Sequence, residues 1–437
     1  MGKLFLLLSS TVAIFGAMTI AGSAETINVA TVNNGDMIIM QKLSTEWEKE
    51  TGDKINWIIL EENVLRERVT TDVATQGGQF DVITISNYET PMWGKSGWLT
   101  PLNDLGDDYD YNDLIKPVRD GLAVGDNLYG VPFYAESSFT FYRKDLFENA
   151  GITMPDNPTY DQIKDFAAKL TDKSKQQYGI CLRGKSGWGE NMAYLNPMIN
   201  AYGGRWFDME WKAQLNTEPW KNAITDYVKL LNDYGPAGSN ANGFNETQTM
   251  FATGHCAIWI DATSAAGRVY DPKQSTVADK VAVTRAPTQA TANGSSWIYT
   301  WSLAIPKSTK KADTAKSFVK WATSKNYITR VGKTQGWVAV PPGTRKSTYA
   351  NANYQKAAPF YDTVLKAIES ADPNHPTKDP VPYTGIQFVA IPEFQSIGTF
   401  VGQQISAALA GQTSVEDALS QAQNQVARDM RRAGYPK

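Results

Sequence analysis

Apolar positions recur along this chain at two spacings, and the two alternate. Thr26–Val32 (TINVATV), Ile55–Leu60 and Phe80–Ser86 (FDVITIS) are short runs rich in β-branched residues. Such runs predict strands. Between the first two, apolar positions through Leu43 and Trp47 follow a helical period and stop near Gly52, which predicts a helix closed by glycine. A second helix is predicted from near Asn63, with Asn63 as its cap. Strand, helix, strand, helix, strand predicts an α/β layer with a largely parallel sheet. Ligands of such sheets sit beyond the carboxyl ends of the strands. That rule nominates Asn33 and Asn34, Glu62 and Asn63, and Asn87 and Tyr88.

A second α/β region is predicted downstream. Leu128–Tyr134, Ser138–Tyr142, Gln177–Leu182 and His255–Ile260 read as strands. Thr159-Tyr160-Asp161-Gln162 is a capping box, and Ile163, Phe166, Ala167 and Leu170 follow it on one helical face. Ile397–Leu409 reads as a helix ending at Gly411, and Thr413–Glu416 opens another. The run SSWIYTW, Ser295–Trp301, sets Trp297, Tyr299 and Trp301 at alternate positions. In a strand, that spacing puts a ridge of rings on one face. No internal repeat or low-complexity segment is found.

Length and composition narrow the classes. The chain has 437 residues, 42% of them hydrophobic, enough for two or more domains. A formal net charge of −3 argues against nucleic acid or an anionic membrane as the main partner. The 13 Trp and 20 Tyr offer flat apolar faces with polar edges, which suits carbohydrate-like ligands, although most of these rings are expected to be packing. Only two histidines, His255 and His375, are present. They give a Ser–His triad or a histidine metal cluster little to build on. No Walker loop or HExxH motif occurs, so no metal and no cofactor are expected. A carboxylate-pair glycosidase needs no further motif and stays open as an alternative, as does an exported metal carrier.

The N-terminus adds a location. Lys3 precedes the apolar stretch LFLLLSSTVAIFGAM, and Gly22-Ser23-Ala24 supplies small residues for cleavage after about Ala24. This is the pattern of a signal peptide, with a membrane anchor as the rival. Residues 1–24 are therefore expected to be removed, and the mature protein to be exported. In an oxidising space Cys181 and Cys256 are expected to pair across 75 positions. Two buried free thiols are the alternative.

Longer runs carry a resemblance. LYGVPFYAESSFTFYRKDLFENAGI (Leu128–Ile152), MFATGHCAIWIDA (Met250–Ala262), SLAIPKSTKKADTAKSFVKWATS (Ser302–Ser324), IPEFQSIG and AALAGQTSVEDAL resemble bacterial extracellular solute-binding proteins of the maltose-binding class. The matches run in order over essentially the whole mature chain. LEENVLRERVTTDVATQGGQFDV, YGICLRGKSGWGENMAY, FNETQTMFATGHCAIWIDAT and GWVAVPPGTRKSTYAN look like the branch that takes up sugar alcohols such as mannitol, sorbitol and arabitol. The resemblance implies an α/β, two-lobed periplasmic binding protein fold of type II. Strand crossings join its discontinuous lobes, and the ligand lies in the cleft between them. By alignment, lobe one is 25–135 plus 293–340 and lobe two is 136–292 plus 341–437. The resemblance further implies a periplasmic monomer that closes about its hinge on a polyol. The closed form then docks on inner-membrane ABC permease subunits driven by a cytoplasmic ATPase. A mono- or disaccharide is the alternative ligand.

The same resemblance, together with the strand-end rule, supplies candidate ligand residues. A polyol needs carboxylates and amides for its hydroxyls, an arginine for acceptor lone pairs, and rings for its C–H faces. Glu136 follows the first crossing, where the class places a ligand carboxylate and Tyr134–Ser137 are expected to face the cleft, with a surface position on a hinge strand as its rival role. Asp261 ends a strand, and its rival role is capping the next helix. Arg183 and Trp188 lie in a Gly-rich loop, with a salt bridge and loop packing as their rival roles. Trp206 follows a glycine pair, with core packing as its alternative. Asn33, Asn34 and Asp36 follow the first strand and compete with helix capping. Glu62, Asn87 and Tyr88 follow the second and third strands. Trp337 lies near the third crossing, and Gln387 precedes the final helices. In SSWIYTW, Trp297 is expected to stack on the ligand and Trp301 to hold the sheet, with Tyr299 unassigned. Trp297→Ala should then weaken binding with little loss of stability, and Trp301→Ala the reverse, as read by calorimetry and thermal unfolding.

Overall fold

The computed structural model describes residues 24–435. The expected signal peptide therefore lies outside the described residues apart from Ala24. Nine strands form the two larger sheets. They are β1 (Thr26–Val32), β2 (Lys54–Leu60), β3 (Val82–Ser86), β4 (Val131–Glu136), β5 (Ser138–Arg143), β6 (Tyr178–Cys181), β7 (Cys256–Ala262), β8 (Val281–Arg285) and β9 (Tyr299–Ala304). The five-stranded sheet runs β2-β1-β3-β9-β4 and the four-stranded sheet β8-β5-β7-β6. β1 is parallel to β2 and β3, as the alternation predicts, while β9 is antiparallel to both β3 and β4.

The predicted helices form for the reasons read from the pattern. α1 (Gly35–Thr51) buries Met37, Met40, Leu43, Ser44 and Trp47, and Gly52 ends it at φ 84°, a conformation that favours glycine. α2 (Glu62–Thr75) is capped by Glu61, whose carboxylate accepts from the Asn63 and Val64 N–H groups. The predicted cap, Asn63, instead lies inside the first turn and points its amide at the Ser186 carbonyl, 3.4 Å away. α3 (Tyr160–Leu170) has the predicted capping box between Thr159 and Gln162. α4 (Asn191–Ala201) is buried along its whole length. α5 (Glu218–Tyr234) buries Trp220, Ala223, Ile224, Tyr227, Leu230 and Leu231 on one stripe. α6 (Phe244–Ala252) leads into β7. α7 (Phe394–Leu409) and α8 (Val415–Arg432) pack together and against α5, with Ser414 capping α8.

The chain changes sheets at a single residue. β4 ends at Glu136 and β5 begins at Ser138. Between them the Ser137 N–H donates to Thr263 Oγ1 at 3.0 Å, and its carbonyl accepts the Thr263 N–H at 2.8 Å. The chain returns to the first sheet between β8 and β9, and a later segment packs on the crossing where the Ala135 N–H donates to the Pro342 carbonyl at 2.9 Å. Gly343, at φ 76°, makes that approach possible, since a Cβ there would lie 2.1 Å from the Ala135 carbonyl oxygen. β9 starts at Tyr299, so Ser295–Ile298 precede the strand. The three rings of SSWIYTW therefore do not form one ridge.

Cys181 and Cys256 are joined as a disulfide at one end each of β6 and β7. The closed loop spans 75 positions. Replacing both cysteines by serine should lower the unfolding free energy by about 4 kcal/mol in the chain-entropy model. Urea unfolding of the oxidised protein and the double variant measures it; equal midpoints would remove this role.

Candidate ligand-binding site

The carboxyl ends of β1, β2, β4 and β6 and the start of β9 converge on one chamber. It holds about 350 Å³ of space not filled by atoms, and Asn34, Glu62, Arg66, Tyr134, Glu136, Arg183, Trp188, Gly189, Ala193, Phe244, Tyr299, Trp301 and Gln387 line it. Its centre is Arg66, on the first turns of α2. Arg66 Nε and Nη2 donate to Glu62 Oε1 at 3.1 and 2.7 Å, Nη1 donates to Glu89 Oε1 at 2.8 Å, and Nη2 also donates to the Tyr299 hydroxyl at 2.7 Å. The guanidinium lies 3.9 Å from the Trp188 ring centroid and 5.1 Å from that of Trp301. Burial works against its charge, but Tyr299, Glu62 and Glu89 outweigh it and raise its pKa further.

A second buried pair stands opposite, on the four-stranded sheet. Arg183 Nε donates to Asp261 Oδ2 at 2.9 Å and Nη2 to Oδ1 at 2.5 Å. Arg183 Nη1 donates to the Gly189 carbonyl at 2.9 Å, which holds the Trp188 loop. Burial opposes the guanidinium charge, and the Asp261 carboxylate overcomes it. Segments carried by the two sheets meet around the chamber. Lys185 Nζ contacts Glu61 Oε1 at 2.5 Å, the Tyr88 hydroxyl donates to the Ile391 carbonyl at 3.0 Å, and Thr70 Oγ1 donates to Gln395 Oε1 at 3.2 Å. The chamber is therefore closed between the sheets.

Not every lining group finds a partner. Trp188 Nε1 and Gln387 Oε1 are buried with no hydrogen bond from the protein. One is a donor and the other an acceptor. Burial pushes the Glu136 carboxyl up to about 8, against the hydrogen bond it accepts from Ser264 Oγ. Burial likewise raises Glu190 to about 7, with Glu62 adding to the rise, and raises half-buried Asp36 to about 7.

The candidates from sequence divide. Asn34, Glu62, Glu136, Arg183, Trp188 and Gln387 line the chamber. Asp36 lines an adjoining outer compartment instead. Asp261 does not line the chamber. It is fully buried, and its carboxylate is taken by Arg183 and by the Ala262 N–H at 2.6 Å. Asn33 is exposed, because it lies on the outer side of the turn into α1. Asn87 Oδ1 accepts the Thr300 N–H at 3.0 Å and its Nδ2 donates to the Ile298 carbonyl, so it splices β3 to β9. Tyr88 packs behind the wall against Trp188, Phe388 and Phe394. Trp206 is core: its Nε1 donates to Asn196 Oδ1 at 2.9 Å and its ring meets Trp220 and Phe394. Trp337 is half-buried against Gly332, away from the chamber.

The placement of SSWIYTW departs from the expected split, although Trp301 does lie in the sheet, paired with Ser86 and Tyr134. Trp297 is buried but lines no part of the chamber, whereas Tyr299 and Trp301 both do. The alternation begins at Tyr299, where β9 begins, so these two rings share the face turned to the cleft. The sequence reading missed Arg66 and Phe244, whereas Tyr134, expected at the cleft with the rest of Tyr134–Ser137, lines the chamber. Arg66 follows Glu62 by four residues, a helical ion-pair spacing that could have flagged it. Nothing local marks Phe244.

Comparison with known proteins adds the following. The family described as bacterial extracellular solute-binding protein matches residues 33–327. A mannitol-binding protein of Pseudomonas aeruginosa is 54% identical over 419 residues, covering 96% of each chain. A crystal structure of an ABC transporter solute-binding protein from Agrobacterium vitis with bound D-mannitol has a TM-score of 0.94 and 57% identity, covering 95% of this chain and 100% of that one. A ribitol complex of such a protein from Agrobacterium radiobacter has a TM-score of 0.81 at 24% identity, covering 92% and 98%, and shares the fold.

The raised Glu136 carboxyl gives a signed pH dependence. Its folded value, about 8, lies above its ordinary value of 4.5, so the folded chain binds more protons between them. Its contribution is full below pH 4.5 and is lost as pH rises through 8. Glu136→Gln keeps the neutral shape. The stability of the variant relative to the ligand-free parent should therefore be greater at pH 8 than at pH 5, by about 1 kcal/mol or more. Denaturant unfolding at the two pH values measures it, and a difference that does not change with pH would refute the assignment.

Proposed function

The chain belongs to the bacterial extracellular solute-binding protein family, and from that premise we propose that it captures a sugar alcohol, with D-mannitol as first candidate, for an ABC importer. It is a binding protein of a transporter and not an enzyme, like its relatives. Its fold is the two-lobed α/β fold of that class. The observation that carries the ligand assignment is 57% identity, at a TM-score of 0.94, to the D-mannitol complex. The chamber's chemistry supports it. A hydroxyl both donates and accepts, so a chain of hydroxyls can satisfy the Trp188 indole N–H and the Gln387 carbonyl together. Protonated Glu136 donates, Glu62 accepts, and the rings of Trp188, Tyr299, Trp301 and Phe244 cover C–H faces.

The rest of the reading follows. The lobes are 25–135 with 293–340 and 136–292 with 341–437, a division supported by the way the strands separate between the two sheets. Ligand stabilises the closed state by contacting both lobes, a population shift about the crossings. The mature protein begins after about Ala24, works in the periplasm as a monomer, and delivers its ligand to permease subunits in the inner membrane. Among the described residues, no helix is long and apolar enough to cross a membrane.

Titration calorimetry with mannitol, sorbitol, arabitol, ribitol, mannose and maltose tests the assignment. A hexitol should bind at micromolar concentration or tighter, without turnover. Trp188→Ala and Gln387→Ala should each weaken it by about 1–3 kcal/mol, roughly 5- to 150-fold, because each removes a partner from a buried polar group. Binding of mannose or maltose alone, with silent polyols, would overturn the assignment.

A further inference from the structure

The chamber has a neighbour. An outer compartment, about 760 Å³ of unfilled space continuous with solvent, adjoins it, and Asn34, Tyr134 and Phe244 line both. Two of these three residues are bonded to each other: Asn34 Nδ2 donates to the Tyr134 hydroxyl at 3.0 Å. We propose that this pair is the end wall of the ligand chamber and sets the maximum length of ligand that closes the protein. The inference rests on the polyol reading and specifies which members of that class are admitted.

Three observations carry it. Asn34 occupies the N-cap position of α1, and its backbone carbonyl accepts the Ile38 N–H at 2.9 Å, yet its side chain caps nothing. Asparagine normally spends its side-chain oxygen on the first turn of a helix. Here the amide turns away and reaches an element 100 positions along the chain. Secondly, both partners are held in place. Tyr134 is 1% exposed and Asn34 8%, and the Tyr134 ring sits 6.5 Å from the ring of Trp301. Thirdly, the space behind the wall suits a sugar ring. Gln248, Gln274 and Arg268 supply amide and guanidinium groups, with Arg268 Nη1 donating to Gln248 Oε1 at 3.1 Å, and Phe244, Tyr354 and Phe360 supply rings. A linear polyol ends at the wall. A polyol bearing a glycosyl group on its terminal hydroxyl would need the wall opened to place the sugar beyond it.

The test compares D-mannitol with D-mannitol glucosylated on a terminal hydroxyl, titrated calorimetrically into the parent and into Asn34→Ala, Tyr134→Ala and Tyr134→Phe. The parent should prefer free mannitol by about tenfold or more. The two alanine variants should shrink that ratio by about tenfold, while Tyr134→Phe, which keeps the ring but loses the bond to Asn34, should fall between the alanine variants and the parent. If Tyr134→Ala does not fold, Asn34→Ala, which trims a few atoms from a helix start, carries the test alone. A parent that binds both ligands equally, or alanine variants that weaken both in equal proportion, would overturn the wall while leaving the polyol reading intact. A parent silent to mannitol itself would overturn the polyol reading and the wall with it.

Discussion

The geometry of the chamber depends on how one buried cation is satisfied. Arg66 sits between Trp188 and Trp301 with its charge out of water. Burying a guanidinium without partners would cost several kcal/mol. Glu62, Glu89 and Tyr299 offset that cost by taking four of its five N–H directions. Glu89 is itself fixed, accepting from the Ser86 N–H and Ser86 Oγ at the end of β3. The network therefore ties α2, the end of β3 and the start of β9 into one rigid wall. Trp188 arrives from the opposite sheet and lays its ring on the guanidinium. That contact joins the two sides of the chamber, so a ring from one sheet completes a wall built on the other.

This is also why the site was only partly legible in the sequence. Strands β1 and β3 were readable because burial writes a continuous apolar run, the edge strand β2 because its β-branched residues favour a strand although it stays partly exposed, and the helices between them because helical burial writes a stripe. Asn34, Glu62, Glu136, Arg183, Trp188 and Gln387 were reachable because strand ends and the family resemblance pointed to the mouth of the cleft. Arg66 was not, since an arginine in the run ENVLRERV reads as a solvated helix face until the opposite sheet is laid against it. SSWIYTW misled for a related reason. Period-two spacing signals a strand face but not where the strand begins, and a start at Tyr299 moves Trp297 out of the alternation. Asp261 shows a third limit. Its place at a strand end nominated it for ligand contact, but a bidentate arginine from a different strand end already occupies it and it lines no part of the chamber.

The same accounting separates structural charge from recognition. Arg66 directs three N–H donors at protein carboxylates and Arg183 two, with a third on the Gly189 carbonyl, and Asp261 and Glu89 spend their acceptors in return. Burial keeps Glu136 neutral to about pH 8. The walls thus carry strong local fields that largely cancel within the protein. A charged solute entering such a chamber would lose its hydration and find the opposing charges already paired, a penalty that a neutral solute escapes. What remains for a ligand is small: an indole N–H, an amide oxygen, the second Glu62 carboxylate oxygen, a carboxyl proton and ring faces. Each of these is weak alone, and each is costly to leave unmatched once the cleft has shut. Selectivity on this reading comes from how many of those few groups a solute can match at once while its carbon backbone stays within the walls. A hydroxylated chain with a donor and an acceptor on every carbon meets that demand with neutral atoms alone.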